Sequence, residues 1–244
     1  MAFIKRFWWV GLIVIVGLGG TWAIMTFVVH PKTGNNSNNS NQSNSNAPEQ
    51  RISISLPFPA SNDPYGIMPM GETVHHSAPI GHPGIDFFWH VQPVLTASFD
   101  GAVTSISKDK NESSDGTAYW VVLIQSTNGQ FVANYGELVD YNQTLAVGSQ
   151  VKQGDSIGHP HDKGNSDFMT HWSFQTSHDG ELTLCPLTYF DSSSLARLDA
   201  IWANTTLEAY ADKNQFPKIC NGVFDGLDSI AAHDQMRQQL GLNK

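Results

Sequence analysis

Basic residues are scarce in this chain of 244 residues, which has 13 lysines and arginines against 22 aspartates and glutamates. The formal net charge of -9 at pH 7 and the pI near 5.4 exclude nucleic acid as the expected partner, because phosphate groups bind basic surfaces. Cysteine is scarcer still, since only Cys185 and Cys220 occur. Neither cysteine lies directly after the apolar run at residues 7–29, and this excludes a lipoprotein anchor.

Charge is absent from residues 7–29, a mostly apolar run. About 20 apolar residues are enough to cross a bilayer, so this run predicts a transmembrane helix. Lys5 and Arg6 precede it, and the positive-inside rule then places residues 1–6 in the cytoplasm. The C-terminal domain is expected outside the membrane, in the periplasm or at the cell surface. A signal peptide cleaved near Ala23 is the alternative, but the apolar run continues past that site and favours an uncleaved anchor.

Apolar side chains are missing from residues 34–46, which consist almost entirely of asparagine and serine. Such a composition cannot build a core, so residues 30–50 are expected to be a disordered linker. An even number of cysteines outside the cytoplasm predicts a disulfide between Cys185 and Cys220. Two free buried thiols are the alternative.

Residues 51–190 contain short runs in which apolar and polar residues alternate, separated by glycine turns. This pattern predicts a mainly β domain with an antiparallel sheet or sandwich core. Residues 51–58 alternate strictly, which predicts a strand with one buried face. Asp100-Gly101 and residues 127–129 are typical of hairpin turns. After Pro186 the apolar spacing becomes helical, so residues 191–244 are expected to form a C-terminal appendage of two helices.

The segment GHPGIDFFWH, residues 81–90, places His82 four residues before Asp86 across a Pro-Gly bend. An imidazole and a carboxylate are ordinary zinc ligands, and a catalytic zinc takes three protein ligands and a water molecule. The pair alone is weak evidence, because many such pairs are hydrogen-bonded surface residues. A third ligand has to come from another part of the chain.

Between about residues 66 and 190 the sequence resembles the lysostaphin-type, or LytM-like, zinc metalloendopeptidases, which cut peptide cross-links in bacterial cell walls. HPGIDF resembles the family's His-x-Gly-x-Asp segment, which supplies two zinc ligands. Further family segments are matched in order by VLTASFDGAVTSI, NYGEL, VGSQVKQGDSIG, HWSFQ and CPLTYF. The resemblance implies the family's fold, the duplicated hybrid motif, and one zinc ion bound by His82 and Asp86.

The strand HWSFQ departs from the family's His-x-His pattern. His171 fills its first position, for which the resemblance implies a catalytic role, whereas Ser173 replaces the histidine that binds zinc. Glu137 replaces the histidine of the family's Tyr-x-His-Leu segment. Because a serine hydroxyl is a poor zinc ligand, we expect either that His171 itself rotates into ligation or that another histidine substitutes, with Glu137 as general base. The candidate substitutes are His75, His76, His90, His159 and His161.

The sequence therefore predicts a membrane-anchored, extracytoplasmic zinc metallopeptidase that hydrolyses cell-wall peptides with a metal-activated water. The expected partners are a cell-wall peptide or peptidoglycan, and the membrane through the N-terminal helix. The alternative is a catalytically degenerate LytM-like domain that binds wall material or regulates a partner hydrolase, which Ser173 favours. A purely structural surface domain, spaced from the membrane by its linker, is a third possibility.

Overall fold

The computed structural model of the chain describes residues 50–109, 118–177, 179–207, 210 and 213–242. The predicted transmembrane helix at residues 7–29 and nearly all of the linker at residues 30–50 lie outside these ranges. Within them, no helix combines the length and apolar character that crossing a bilayer requires.

Ten antiparallel strands in the described ranges form one sheet, and this confirms the predicted mainly β fold class. The sheet order is β1-β2-β9-β8-β6-β5-β4-β7, while β10 pairs with β9, β3 pairs with β8 and β9 also pairs with β6. The strands are β1 (Gly66–Met68), β2 (Ile85–Trp89), β3 (Leu95–Thr96), β4 (Gly101–Asp109), β5 (Tyr119–Ser126), β6 (Phe131–Tyr141), β7 (Gln150–Val151), β8 (Ser156–Asp162), β9 (Phe168–Thr176) and β10 (Asp179–Leu184).

Strand β9 lies between β2 and β6 and separates a buried apolar face from a polar face. Trp172 and Phe174 point into the core and are fully buried, and the Phe174 ring stacks on Phe131 at 5.1 Å. Because side chains alternate along a strand, His171 and Ser173 point to the opposite face. That face carries the candidate site.

Local pattern and tertiary pairing disagree at two of the predicted β segments. Ile54, Leu56 and Phe58 are buried, but Pro57 is buried too, which breaks the alternation predicted for residues 51–58, and within this segment only Ile54 forms a β-bridge. The predicted hairpin at Asp100-Gly101 is wrong, because β3 pairs with β8 while β4 pairs with β5 and β7. The hairpin at residues 127–129 is confirmed by the pairing of β5 with β6.

The C-terminal extension, residues 191–244, contains the two predicted helices, α1 (Ser192–Ala203) and α2 (Ile230–Leu240). Asp191 caps α1 by accepting a hydrogen bond from the Ser194 N–H at 2.8 Å, which satisfies one of the N–H groups that a helix start leaves open. Ser229 caps α2 in the same way through the Ala232 N–H at 3.2 Å.

The predicted disulfide between Cys185 and Cys220 is present, with Cα atoms 5.9 Å apart. It joins the end of the β domain to the C-terminal extension. Cys220 also forms a parallel β-bridge with Met70, which follows β1. The extension is therefore tied to the backbone that leads into the loop of residues 72–82, called the 72–82 loop below.

Candidate metal centre

Three side chains from two distant parts of the chain meet on the polar face of the sheet. His82 ends the 72–82 loop, Asp86 lies on β2 and His171 lies on β9. The register of β2 against β9 pairs Asp86 directly with His171. Because directly opposed residues of adjacent strands share a face, this register alone places the carboxylate beside the imidazole.

The ligand atoms of these residues form a compact triangle. Nε2 of His82 lies 3.0 Å from Oδ1 of Asp86 and 3.1 Å from Nδ1 of His171. Nδ1 of His171 lies 2.9 Å from the same Oδ1 atom. Two imidazole nitrogens and one carboxylate oxygen are thus brought to one point.

The donor set and its spacing fit a zinc ion. Zinc binds histidine nitrogen and carboxylate oxygen at about 2.0–2.2 Å, so tetrahedral donors lie roughly 3.3 Å apart, close to the spacing of this triangle. Nδ1 of His82 lies 3.2 Å from the carbonyl oxygen of Pro69, which accepts its N–H. This hydrogen bond leaves the Nε2 lone pair available, the arrangement expected of a metal-binding histidine.

The electrostatics of the site favour a bound cation. His82 and Asp86 are buried. Burial alone would raise the pKa of Asp86, but the positive potential and the hydrogen bonds of His82 and His171 outweigh it and hold the pKa well below its usual value. The carboxylate is therefore ionised at neutral pH and brings a negative charge to the donor triangle.

Gly84 makes room for the third donor. A Cβ atom at this position would lie 2.4 Å from Cε1 and 2.6 Å from Nε2 of His171, and 2.8 Å from the carbonyl oxygen of Trp172. Only a residue without a side chain leaves the His171 ring where it stands. The spacing of His82, Gly84 and Asp86 in HPGID thus has a steric reason as well as a chemical one.

A cavity of about 540 Å³ opens above the triangle. Its walls include His76 and Glu137, and strand residues such as Asn134, Ser173 and Gln175 contribute neutral polar groups. A cavity of this size fits a short extended segment of peptide.

Glu137 reaches this cavity from a β-bulge. Between the pairs Val122–Tyr135 and Trp120–Leu138, β6 has two residues where β5 has one. Glu137 itself has φ of 55°, in the left-handed region that side chains other than glycine rarely adopt. Bulges re-aim side chains next to active sites, and this one turns Glu137 into the cavity wall.

The structure assembles three donors without the serine of the altered His-x-His strand. Ser173 is buried, and its Oγ accepts a hydrogen bond from Nε2 of Gln175 at 3.0 Å. His171, expected either to act on the substrate or to rotate into ligation, has Nδ1 within the donor triangle. With His171 as the third donor, the site needs no substitute histidine.

Among the five candidate substitutes, only His76 lines the cavity. His75 contacts the Tyr210 hydroxyl at 3.1 Å. The other three bind partners of their own: His90 contacts Asp167 at 3.1 Å, His159 contacts Asp140 at 2.8 Å and His161 contacts the Tyr119 hydroxyl at 3.0 Å.

Sequence reasoning missed Glu72, a fully buried carboxylate beside the site. Its Oε2 lies 2.9 Å from Nδ1 of His76, and its Oε1 accepts the His75 N–H at 2.8 Å. An acidic residue just before two histidines in a polar loop was the available signal, but nothing in the sequence shows that it is buried.

In a comparison with known protein families, residues 80–183 match the sequence model of peptidase family M23. A search of curated proteins gave no match.

Several solved structures are similar to the chain. Csd3 from Helicobacter pylori is 18% identical with a TM-score of 0.41, and the match covers 68% of this chain and 43% of that one. LytU is 24% identical with a TM-score of 0.40, covering 50% and 81%. The catalytic domain of the antimicrobial peptidase lysostaphin from Staphylococcus simulans is 18% identical with a TM-score of 0.39, covering 57% and 90%. The chain spans less than half the length of the Csd3 structure it matches.

Proposed function

Because residues 80–183 match the sequence model of peptidase family M23, we propose that the chain is a zinc metallopeptidase that hydrolyses peptides of the bacterial cell wall. The observation that carries this proposal is the triangle of His82 Nε2, Asp86 Oδ1 and His171 Nδ1, whose atoms lie 2.9–3.1 Å apart. Among the described residues, no other cluster of three or more histidine, cysteine, aspartate or glutamate side chains is arranged to hold a metal ion.

In this proposal His82, Asp86 and His171 hold one zinc ion, and His171 is a ligand. When bound, zinc polarises the scissile carbonyl group and lowers the pKa of a water molecule. Glu137 is the general base and takes a proton from the attacking water, a role that a carboxylate in the cavity wall can fill. The neutral polar side chains of β6 and β9 orient the peptide by hydrogen bonds to its backbone.

We also propose where the enzyme acts. Residues 7–29 anchor the chain in the membrane with residues 1–6 in the cytoplasm, and residues 30–50 act as a linker to the extracytoplasmic domain. The partners are then a wall peptide or peptidoglycan outside the membrane and the lipid bilayer itself. The uncharged apolar run and the Lys5-Arg6 pair before it support this orientation.

The test combines metal content with cleavage. The purified full chain is expected to hold about one zinc ion by mass spectrometry and to release fragments from purified wall peptides. His82→Ala is expected to lose both, because it removes a donor from the triangle. His159→Ala is the matched control, since His159 pairs with Asp140 and does not line the cavity, so its loss leaves the triangle intact. A wild-type chain that holds no zinc and cleaves nothing contradicts the proposal.

A binding domain without catalysis is the second candidate, and Ser173 and Glu137 favour it because they replace two histidines of the family pattern. In this case the cavity holds wall peptide, and the domain recruits or regulates a partner hydrolase. If the zinc-loaded chain sediments with purified walls and cleaves nothing in them, the binding domain is supported and the peptidase is contradicted.

A further inference from the structure

A second imidazole–carboxylate pair lies next to the metal centre. The His76 ring lines the cavity, and its centroid lies 4.6 Å from the centroid of the His82 ring. Nδ1 of His76 lies 2.9 Å from Oε2 of Glu72. The proposed function assigns a role to neither residue.

Glu72 is built as a fixed acceptor. Its side chain is fully buried and accepts the backbone N–H groups of Val74 and His75. Burial by itself would raise the pKa of Glu72, but the hydrogen bonds from His76, His75 and Val74 outweigh it and lower the pKa. The carboxylate therefore accepts the Nδ1–H of His76, and Nε2 is the second nitrogen of a ring that lines the cavity.

The 72–82 loop that presents His76 is fixed at both ends. The His82 N–H donates to the Glu72 carbonyl oxygen at 2.8 Å, and the Gly71 N–H donates to the His82 carbonyl oxygen at 2.9 Å. The Tyr210 hydroxyl of the C-terminal extension contacts Nδ1 of His75 at 3.1 Å. Anchoring of this kind pre-organises the ring, as catalysis requires of a group that acts without rearrangement.

Sheet topology places His76 and Glu137 on different flanks of the donor triangle. His76 belongs to the connection between β1 and β2, whereas Glu137 belongs to β6. β9, which carries His171, pairs with β2 on one side and with β6 on the other. Peptide hydrolysis involves two proton transfers, one from the attacking water and one to the departing nitrogen, and groups on two flanks of the site can each serve one of them.

We propose that His76 is a further catalytic residue, which protonates the leaving amine, and that Glu72 is a positioning residue for its ring. This inference rests on the proposed peptidase function. Water attacks the carbonyl carbon and its proton passes to Glu137. The C–N bond then breaks, its electron pair stays on nitrogen, and that nitrogen takes the Nε2 proton of the doubly protonated His76 ring, which is left neutral with its proton on Nδ1. Solvent returns a proton to His76 and removes one from Glu137.

The test uses two substrates with the same acyl part, a peptide amide and a nitrophenyl ester, with the zinc-loaded full chain. An amine leaves only when protonated, whereas nitrophenolate leaves without a proton. His76→Gln is therefore expected to lower kcat/KM for the amide by about 10²–10⁴-fold and for the ester by less than about tenfold. Zinc content is expected to stay at one ion per chain.

His159→Gln is the control, because His159 pairs with Asp140 and neither lines the cavity nor contacts the 72–82 loop in the contacts described. It is expected to leave the ratio of amide to ester cleavage unchanged. Equal losses on both substrates in His76→Gln, or no loss on the amide, overturn the inference while leaving the peptidase proposal standing. If the wild-type chain binds no zinc and does not cleave the amide, the peptidase proposal is wrong, and the inference that rests on it is wrong too.

A readout in zinc-free protein tests the role of Glu72 without any activity. Nitrogen-15 NMR of the His76 ring is expected to show the proton of the neutral ring on Nδ1. Glu72→Gln is expected to shift the ring toward the Nε2–H form, because an amide oxygen is a weaker acceptor than a carboxylate. A wild-type ring that already carries its proton on Nε2 contradicts the assignment of Glu72.

Discussion

At the scale of single residues, the metal centre depends on a side chain that is absent. Gly84 sits against the His171 ring, and an added Cβ atom would lie 2.4 Å from Cε1 of that ring. The clash would also involve the Trp172 carbonyl oxygen, which is backbone and cannot move aside without disturbing β9. The cheaper adjustment is displacement of the His171 ring out of the donor triangle.

Gly84→Ala is therefore expected to lower zinc affinity by at least about 100-fold, since even changes outside the ligand set cost 10–100-fold. Gly136→Ala is the matched control, because its Cβ atom would lie 3.5 Å from Cβ of His171, an ordinary contact. Titration of each variant with zinc in the presence of a competing chelator measures the difference. Wild-type affinity in Gly84→Ala would show that His171 is not a ligand.

The carboxylate of Glu137 supports a second prediction at this scale. Glu137→Gln keeps the shape of the side chain and removes its ability to take a proton, so peptide cleavage is expected to fall by about 10²–10⁴-fold with zinc content unchanged. Asp140→Asn serves as the control, because Asp140 lies on the same strand but is exposed and contacts His159. The rate of peptide cleavage under saturating zinc measures the effect, and an unchanged rate in Glu137→Gln would show that Glu137 is not the base.

At the scale of elements, residue spacing alone allowed prediction of what is local, whereas features that depend on strand register were either supplied by the family resemblance, as for His171, or missed. The spacing of His82 and Asp86 across Pro83-Gly84 identified two donors. The position of His171 depends on the pairing of Asp86 with a residue 85 positions away, and a slip by one residue would turn it to the other face. The hairpin predicted at Asp100-Gly101 was wrong for the same reason, because β3 pairs with β8, which is distant in sequence, and not with β4.

The disulfide between Cys185 and Cys220 is a covalent cross-link between the β domain and the C-terminal extension, in addition to the backbone that joins them. It closes a loop with a sequence separation of 35, for which loop-closure entropy predicts a contribution of about 3–4 kcal/mol to stability. Replacing both cysteines by serine is expected to lower the free energy of unfolding by that amount. Denaturant unfolding of wild type and variant measures it.

Reductant supplies the control for this prediction. It is expected to lower the stability of wild type toward that of the double variant and to leave the variant unchanged. Equal stability of oxidised wild type and variant would show that the noncovalent contacts of the extension, such as the bridge between Met70 and Cys220, hold it in place without the covalent link.

At the scale of the whole molecule, the proposed membrane anchor and the candidate site fall on different parts of the sequence. Residues Ala47–Lys244 form one compact unit that contains every residue of the candidate site. A helix over residues 7–29 would be about 34 Å long at 1.5 Å per residue, enough for the roughly 30 Å hydrocarbon core of a bilayer. Attachment and zinc binding are therefore expected to be separable by removing residues 1–46.

Fractionation of cells that express the full chain is expected to place it with the membranes and to resist extraction by high salt, since burial of an apolar helix does not depend on ionic attraction. The chain without residues 1–46 is expected in the soluble fraction, with zinc content and unfolding free energy close to those of the full chain. Intact mass of the membrane-bound protein separates an anchor from a signal peptide. A mass that lacks the first 23 or so residues, the length that cleavage near Ala23 removes, would show that the apolar run directs export and is then lost. Retention of the whole run together with recovery in the soluble fraction would contradict both forms of the membrane proposal, because an uncharged segment of this length has no stable place in water.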